Sequence, residues 1–325
     1  MSPLLTLRDR ARVARHHIVL PEGTDPRVRD AAGRAVAEGL ARITLLAPEG
    51  TPVPPGVTLE DPKTSPRRNA MAEAFLAARA RRKPTPVQAV EAIGDPLVWA
   101  ALMVREGLAG GTIGGAIHTT SDTVRAALQI VGMAEGAPLV SSFFLMVLPE
   151  SHPTRPGAGL IFSDCGLVID PSPEELAAIA HQSAASARAL LGVDPKVAML
   201  SFSTKGSAHH MRVNKVIEAV EIARATADFA LDGELQFDAA FDAGVGASKA
   251  PGSAVAGQAN VLIFPDLDAG NIGYKIAQRI GGATAIGPVL QGLAQPANDL
   301  SRGCTADDIL DMIAVTSAQI DAAHG

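Results

Sequence analysis

Short β-branched and apolar runs alternate along the chain with stretches in which apolar residues return every three to four positions. Ile18–Leu20, Ile43–Leu46, Thr112–Ile117, Phe143–Leu148, Val197–Phe202 and Val261–Phe264 have the length and the Val, Ile and Phe content of strands. Between them Met71, Phe75 and Ala78, then Val124, Leu128 and Val131, then Val213, Ile217 and Val220 stand at i, i+4 and i+7, which is one face of a helix. Ser172-Pro173-Glu174-Glu175 predicts a sharp helix start, with a serine cap, proline at the first helical position and glutamate at the third; Gly192 predicts its stop. Strands alternating with helices predict an α/β fold built on a largely parallel sheet. Residues 50–66, with five prolines, read as an exposed connection, and Pro149–Gly159, with three prolines and two glycines, as the crossing between two lobes.

Length sharpens that picture, because single cores stop growing near about 250–300 residues, and 325 residues therefore predict two lobes. Apolar residues make up 47% and charged residues 19%, so the chain can bury an ordinary core. No apolar run approaches the roughly 18–20 residues of a membrane helix, and the arginines at 8, 10, 12 and 15 stand where a secretory leader would be apolar. Cys165 and Cys304 lie far apart and fit no metal spacing, which predicts free thiols in a reducing cytoplasm. A formal charge of −6 and 3% aromatic residues argue against nucleic-acid binding. An anionic ligand then needs locally placed positive charge.

Ligands of open α/β sheets bind beyond the carboxyl ends of strands, where loops enter helices. Three segments have that form. After Thr112–Ile117 come His118, Thr119, Thr120, Ser121 and Asp122 with Arg125 in the following helix, where hydroxyls, backbone N–H groups and a guanidinium suit a phosphate. The same residues also fit a hydroxyl cap beside a solvated arginine. After Val197–Phe202 come Ser203, Thr204, Lys205, Gly206 and Ser207, an anion loop or an ordinary polar turn, without the spacing of a Walker loop. His209 and His210 beside it have no Cys, Asp or Glu at ligand spacing, so no metal is expected. After Val261–Phe264 come Asn271, Tyr274 and Lys275, with Arg279 four residues on; the chain's single tyrosine reads there as a ligand contact in a polar loop or as a cap on its lobe. The densest chemistry precedes the last helix, in Asp299-Leu300-Ser301-Arg302-Gly303-Cys304-Thr305-Ala306-Asp307-Asp308. Thr305 with Asp308 forms the pattern of a capping box. Ser301 and Arg302 offer a hydroxyl donor and a forked cation together, which suits an oxyanion or a phosphate.

Five ordered motifs carry a family resemblance: Leu20-Pro-Glu-Gly-Thr-Asp-Pro-Arg27, Leu200-Ser-Phe-Ser-Thr-Lys-Gly-Ser207, Asp232-Gly-Glu-Leu-Gln-Phe-Asp238, Phe264–Lys275 and Asp299-Leu-Ser-Arg-Gly303. From about residue 15 onward the chain resembles the phosphate acetyltransferases, in their short form that has only the catalytic domain. The resemblance implies a homodimer of two-lobed, three-layer α/β/α chains, like isocitrate and isopropylmalate dehydrogenases, with the substrates in the cleft between lobes. Residues 1–140 and 288–325 would make the first lobe and 141–287 the second. The implied reaction is reversible acetyl transfer between acetyl phosphate and coenzyme A, by direct attack in a ternary complex, with no permanently bound cofactor and no metal. The family's serine, arginine and aspartate at the reacting centre match Ser301, Arg302 and Asp308. Its coenzyme A or phosphate arginines match Arg79, Arg125 and Arg279, and the remaining substrate contacts would fall on Thr120, Ser121, Ser203, Lys205, Asn271, Tyr274 and Lys275.

Chemically, Asp308 would take the thiol proton, Ser301 would steady the carbonyl oxygen, and Arg302 with Arg125 would hold the leaving phosphate. The family's alanine-aspartate-glycine step is here Ala109-Gly110-Gly111, and the residues around Arg79 also differ, so Arg81 or Arg82 is an alternative for it. A relative using butyryl phosphate, a dehydrogenase of the same fold and a non-catalytic acyl-coenzyme A sensor are the competing readings. The dehydrogenase lacks its glycine fingerprint here, and the sensor has no use for an intact Ser301, Arg302 and Asp308.

Overall fold

Residues 4–135 and 293–324 form one unit, and residues 2–3 with Gly136–Gly292 form the other, in the computed structural model, which describes residues 2–324. The first unit holds five parallel strands, β1 (His17–Leu20), β2 (Arg42–Leu46), β3 (Thr58–Glu60), β4 (Gly111–Gly114) and β11 (Ala297–Asp299), in the order β11-β4-β1-β2-β3. Because all five run the same way, residues 21–25, 115–119 and 300–305 leave the sheet at one edge. The chain moves outward from β1 to β3 and returns on the other side of β1 as β4, so the point where strand order reverses lies between β1 and β4, where doubly wound sheets take their ligands.

Beneath the sheet, Trp99 and Leu102 of the helix Pro96–Arg105 are fully buried against Met71, Phe75 and Ile130. Asp95 caps this helix and Pro96 opens it. The helix Thr120–Ala126 runs on into a π turn, Ala127–Val131, whose wider winding rotates the buried face: Ile130 enters the core and Leu128, expected there, is 40% exposed. The helix Ala306–His324 packs on β4. A Cβ on Gly110 would lie 3.0 Å from Ile320 and one on Gly111 would lie 2.8 Å from Thr316, so the missing family aspartate coincides with an apolar helix contact.

The second unit has six strands, β5 (Ser141–Val147), β6 (Gly159–Ser163), β7 (Lys196–Leu200), β8 (Ala230–Leu235), β9 (Val261–Ile263) and β10 (Thr284–Gln291), in the order β10-β5-β6-β9-β7-β8. β6, β9, β7 and β8 are parallel, and β5 is antiparallel to both neighbours, so this sheet is largely parallel with one reversed strand. Pro149–Gly159 is the reversal between β5 and β6, closed by the Leu148 N–H donating to Ala158 O at 2.9 Å, and not a crossing between units. Prolines and glycines mark a tight turn as readily as a linker. The predicted helix start is present: Ser172 and Glu175 complete a capping box, Pro173 stands at the first position and Gly192 ends the helix Pro173–Leu191 with φ +63. Among the described residues no single helix is long and apolar enough to cross a membrane.

Candidate active site

The segment Ser301–Asp308 begins where β11 ends, at the carboxyl edge of the first unit's sheet. Asn298, just before it, donates to Thr316 Oγ1 at 2.9 Å and Gln319 Oε1 at 2.7 Å, which pins the strand end to the last helix. Ser301, Arg302 and Gly303 are exposed, while Leu300 and Cys304 on either side are buried. The segment is thus anchored at both ends and open in the middle. The Ser301 hydroxyl accepts from Gly303 N–H at 3.3 Å, which leaves its own hydrogen free to donate.

Two residues of the Leu20–Arg27 motif hold this edge in shape. Glu22, 3% exposed, accepts from the N–H groups of Ala116, Ile117 and His118 at 2.6, 2.9 and 2.8 Å and from His118 Nδ1 at 2.8 Å. It gathers the loop after β4. Arg27 donates through Nη1 to Arg302 O and Cys304 O, both at 2.8 Å, and through Nη2 to Ala116 O at 2.9 Å and Asp25 Oδ2 at 2.8 Å. One guanidinium therefore ties the Ser301–Arg302 loop to the loop after β4, and its hydrogen bond holds the Asp25 carboxyl below the usual carboxylate range. Neither residue was singled out from the sequence. The available signal was an arginine in the first turn of the helix Pro26–Ala37, where the helix dipole disfavours a cation. Beside Glu22 and His118 a cavity of about 220 Å³ opens, walled by Pro21, Leu46 and Pro62 with Lys63 at its lining.

Asp299 closes β11 with no surface exposed. Its Oδ2 accepts from Thr120 Oγ1 at 2.7 Å and its Oδ1 has no hydrogen-bond partner. Burial pushes this carboxyl up to about 6; Thr120 pulls it back and the Glu22 charge adds to the rise. An acid raised above its unfolded value binds its proton more tightly when folded, so folding stability falls as pH climbs from about 4 through about 6, by roughly 2–3 kcal/mol once the carboxylate is fully ionised. Asp299→Asn is therefore expected to gain on the wild type between pH 4 and pH 8 in denaturant titrations at about those two pH values. A stability difference that did not move with pH would contradict the buried ionisation.

Asp308 forms the capping box of the last helix. Thr305 N–H and Oγ1–H both donate to Asp308 Oδ2, at 2.8 and 2.9 Å, and Asp308 N–H returns a bond to Thr305 Oγ1 at 3.2 Å. Its Oδ1 makes no bond among the described residues. Asp307 points elsewhere, 2.6 Å from Arg34. Cys304 is three residues from Ser301, but burial pushes its thiol up to about 11, so at neutral pH it carries a proton and is a poor acyl carrier.

Thr120 and Ser121 open the helix after β4, which Thr119 caps, and Arg125 lies one turn on, exposed and 2.8 Å from Asp122. Arg79 is half-buried at the carboxyl end of the helix Arg68–Ala78, and Arg81 and Arg82 are exposed in the turn that follows. No hydrogen bond joins these three to the Ser301 segment.

In the second unit the loop after β7 is fastened to β8. Ser203 is fully buried, its hydroxyl donating to Glu234 at 2.8 Å, and Gly206 N–H donates to the same carboxylate at 2.8 Å. Lys205 pairs with Asp232 and donates to Gly233 O at 3.1 Å. Ser203 thus holds the loop and presents no surface to a ligand, contrary to the expected contact. The Asp232–Asp238 motif is explained as its support. Tyr274 sits in the helix Leu267–Arg279 rather than in a polar loop, its ring stacked on Phe144 at 3.9 Å, and burial raises its hydroxyl above the ordinary value. Asn271 donates to Cys165 O at 3.1 Å and accepts from Lys275 at 2.7 Å, while Arg279 ends the helix. His210 caps the helix Met211–Arg224 by accepting from Arg212 N–H at 3.2 Å. Among the described residues no cluster of three His, Cys, Asp or Glu could hold a metal ion.

Comparison with known proteins places this geometry. The family described as Phosphate acetyl/butaryl transferase matches residues 4–317. The phosphate acetyltransferase of Paracoccus denitrificans is 51% identical over 321 residues, covering 98% of this chain and 99% of its own. A solved phosphotransacetylase from Streptococcus pyogenes is 44% identical and superposes with a TM-score of 0.91 over 98% of both chains. A branched-chain phosphotransacylase from Enterococcus faecalis, at 19% identity and TM-score 0.71 over 94% of this chain and 99% of its own, shares the fold.

Proposed function

The chain belongs to the phosphate acetyl/butaryl transferase family, and from that premise we propose that it moves an acetyl group reversibly between acetyl phosphate and coenzyme A. The observation that carries the chemistry is the segment Ser301–Asp308, which bears a free hydroxyl hydrogen on exposed Ser301, the exposed Arg302 guanidinium and the half-buried Asp308 carboxylate, and is braced by Arg27. In the forward direction the thiol sulfur bonds to the acetyl carbon, its proton goes to Asp308, and the bond from that carbon to the phosphate oxygen breaks. A thiol of pKa about 8.5 is only a few per cent thiolate at neutral pH, so a carboxylate that accepts the proton raises the supply of nucleophile. Negative charge grows on the carbonyl oxygen, where the Ser301 hydroxyl donates, and on the departing phosphate, which Arg302 and Arg125 hold. Ser121, in the first turn of the same helix as Arg125, is a further hydroxyl donor for phosphate oxygens, whereas the Thr120 hydroxyl is already given to Asp299. The protonated, buried Cys304 supports direct transfer without an acetylated enzyme.

Mixing the protein with acetyl phosphate and coenzyme A is expected to produce thioester and inorganic phosphate in equal amounts; no thioester would sink the reading. A butyryl preference is the second reading, since the family name covers both. Rates with acetyl, propionyl and butyryl phosphate separate the two, each methylene being worth about 1–3 kcal/mol of discrimination.

A further inference from the structure

We propose that Asp299 is a positioning residue for acetyl transfer, a buried latch that fixes the start of the helix Thr120–Ala126 to the strand end carrying Ser301 and Arg302. Asp299 is the last residue of β11 and pairs with Gly114 of β4, so its side chain lies where the two strands give way to their loops. From there Oδ2 takes the Thr120 hydroxyl at 2.7 Å, and two and three residues further along the chain stand Ser301 and Arg302. The loops are packed hard onto this carboxylate. Gly115 has φ +102, and a Cβ there would run into Asp299 Oδ1 and lie 2.8 Å from both the N and the O of Leu300.

Stability alone does not account for an aspartate at this position. Its Oδ1 is buried with no well-aligned hydrogen-bond donor, the Thr123 hydroxyl and the Leu300 N–H lying near enough only to offset part of the cost of burying the charge. A leucine has the same branched four-atom side chain without a stranded acceptor, although its methyl groups are larger than carboxylate oxygens. What an apolar side chain cannot do is hold Thr120. That hold sets the spacing between Ser121 and Arg125 on the helix and the Ser301–Arg302 pair on the loop, where a misplacement of about 1 Å costs about 10²-fold in rate.

The inference rests on the acetyl-transfer reading, and its test keeps the two apart. With both substrates saturating, Asp299→Leu is expected to lose about 10²-fold in kcat while remaining folded at the assay temperature. KM for coenzyme A should stay within about twofold, and Asp299→Asn, which keeps an acceptor for Thr120, should retain turnover to within about threefold. Thr120→Val should reproduce the loss and Thr120→Ser should avoid it. The double variant Asp299→Leu with Thr120→Val should be no slower than either single one, because both break the same bond. Wild-type turnover in a folded Asp299→Leu, a rate loss that follows a matching loss of stability, an Asn variant as slow as the Leu variant, or single losses that multiply in the double variant would each overturn the latch. A wild-type protein that made no thioester would instead overturn the acetyl-transfer reading.

Discussion

Turnover is expected to fall by about 10²–10⁴-fold in Asp308→Asn, with the KM of either substrate little changed. The same carboxylate serves the helix and the proposed chemistry through different oxygens. Oδ2 receives both bonds from Thr305, which leaves Oδ1 to take a proton from the thiol. Asparagine keeps a carbonyl oxygen for Thr305, so the capping box survives and only the charge at the helix start is lost, at a cost of about 0.3–1 kcal/mol. The variant therefore separates cap from base: a folded protein with normal substrate affinity and little turnover identifies the base. Asp307→Asn is the control, since Asp307 is exposed and faces Arg34. Its turnover should stay within about twofold of the wild type. Rates in Asp308→Asn equal to those of the wild type would reduce Asp308 to a helix cap.

The parts of the molecule that declared themselves in the sequence are those governed by local rules. The Ser172 box, the Gly192 stop and the strands β1, β2, β5, β7 and β9 follow from spacing, β-branching and capping chemistry within a few residues. Strands whose composition contradicts their environment stayed hidden. β8 contains Asp232, Gly233 and Glu234, and β10 contains Gly287 and Pro288, residues that signal turns unless partners elsewhere hold them in a sheet. Leu128 was misplaced for a related reason, since a π turn is invisible to a count of 3.6 residues per turn. At the site, Ser301 and Arg302 stood out because a serine-arginine pair beside a glycine in a loop has no ordinary structural use, whereas Asp308 reads by itself as a helix cap and takes its role from the family resemblance. Glu22, Arg27 and Asp299 did not. Their roles depend on bonds to residues 89 to 277 positions away, which no local pattern records. Ser203 and Lys205 illustrate the converse, a loop with the look of an anion site whose polar groups are taken up by Glu234 and Asp232.

Arg302→Gln is expected to lower kcat/KM for acetyl phosphate by about 10²–10³-fold and to leave the KM for coenzyme A nearly unchanged. The backbone of Arg302 is fastened, its carbonyl held by Arg27 at 2.8 Å, whereas its guanidinium is exposed and has no carboxylate partner among the described residues. A cation kept free on a fixed backbone is available to an incoming anion at no cost in broken ion pairs. Because the side chain is exposed and makes no packing contact that stability requires, the substitution should change folding by no more than about 0.5 kcal/mol. The loss would then be read as chemistry. Charge accumulates on the phosphate as its bond to the acetyl carbon lengthens, so an arginine fork aimed at those oxygens gains strength toward the transition state, and its removal should fall on kcat as well as on acetyl phosphate affinity. Arg302→Lys keeps the charge and loses the fork, and its rate should lie between those of the wild type and the Gln variant. Equal losses toward both substrates would show that the guanidinium supports the loop instead of the phosphate. That outcome would shift the leaving-group role to Arg125, whose only partner among the described residues is Asp122, one turn back on an exposed helix face.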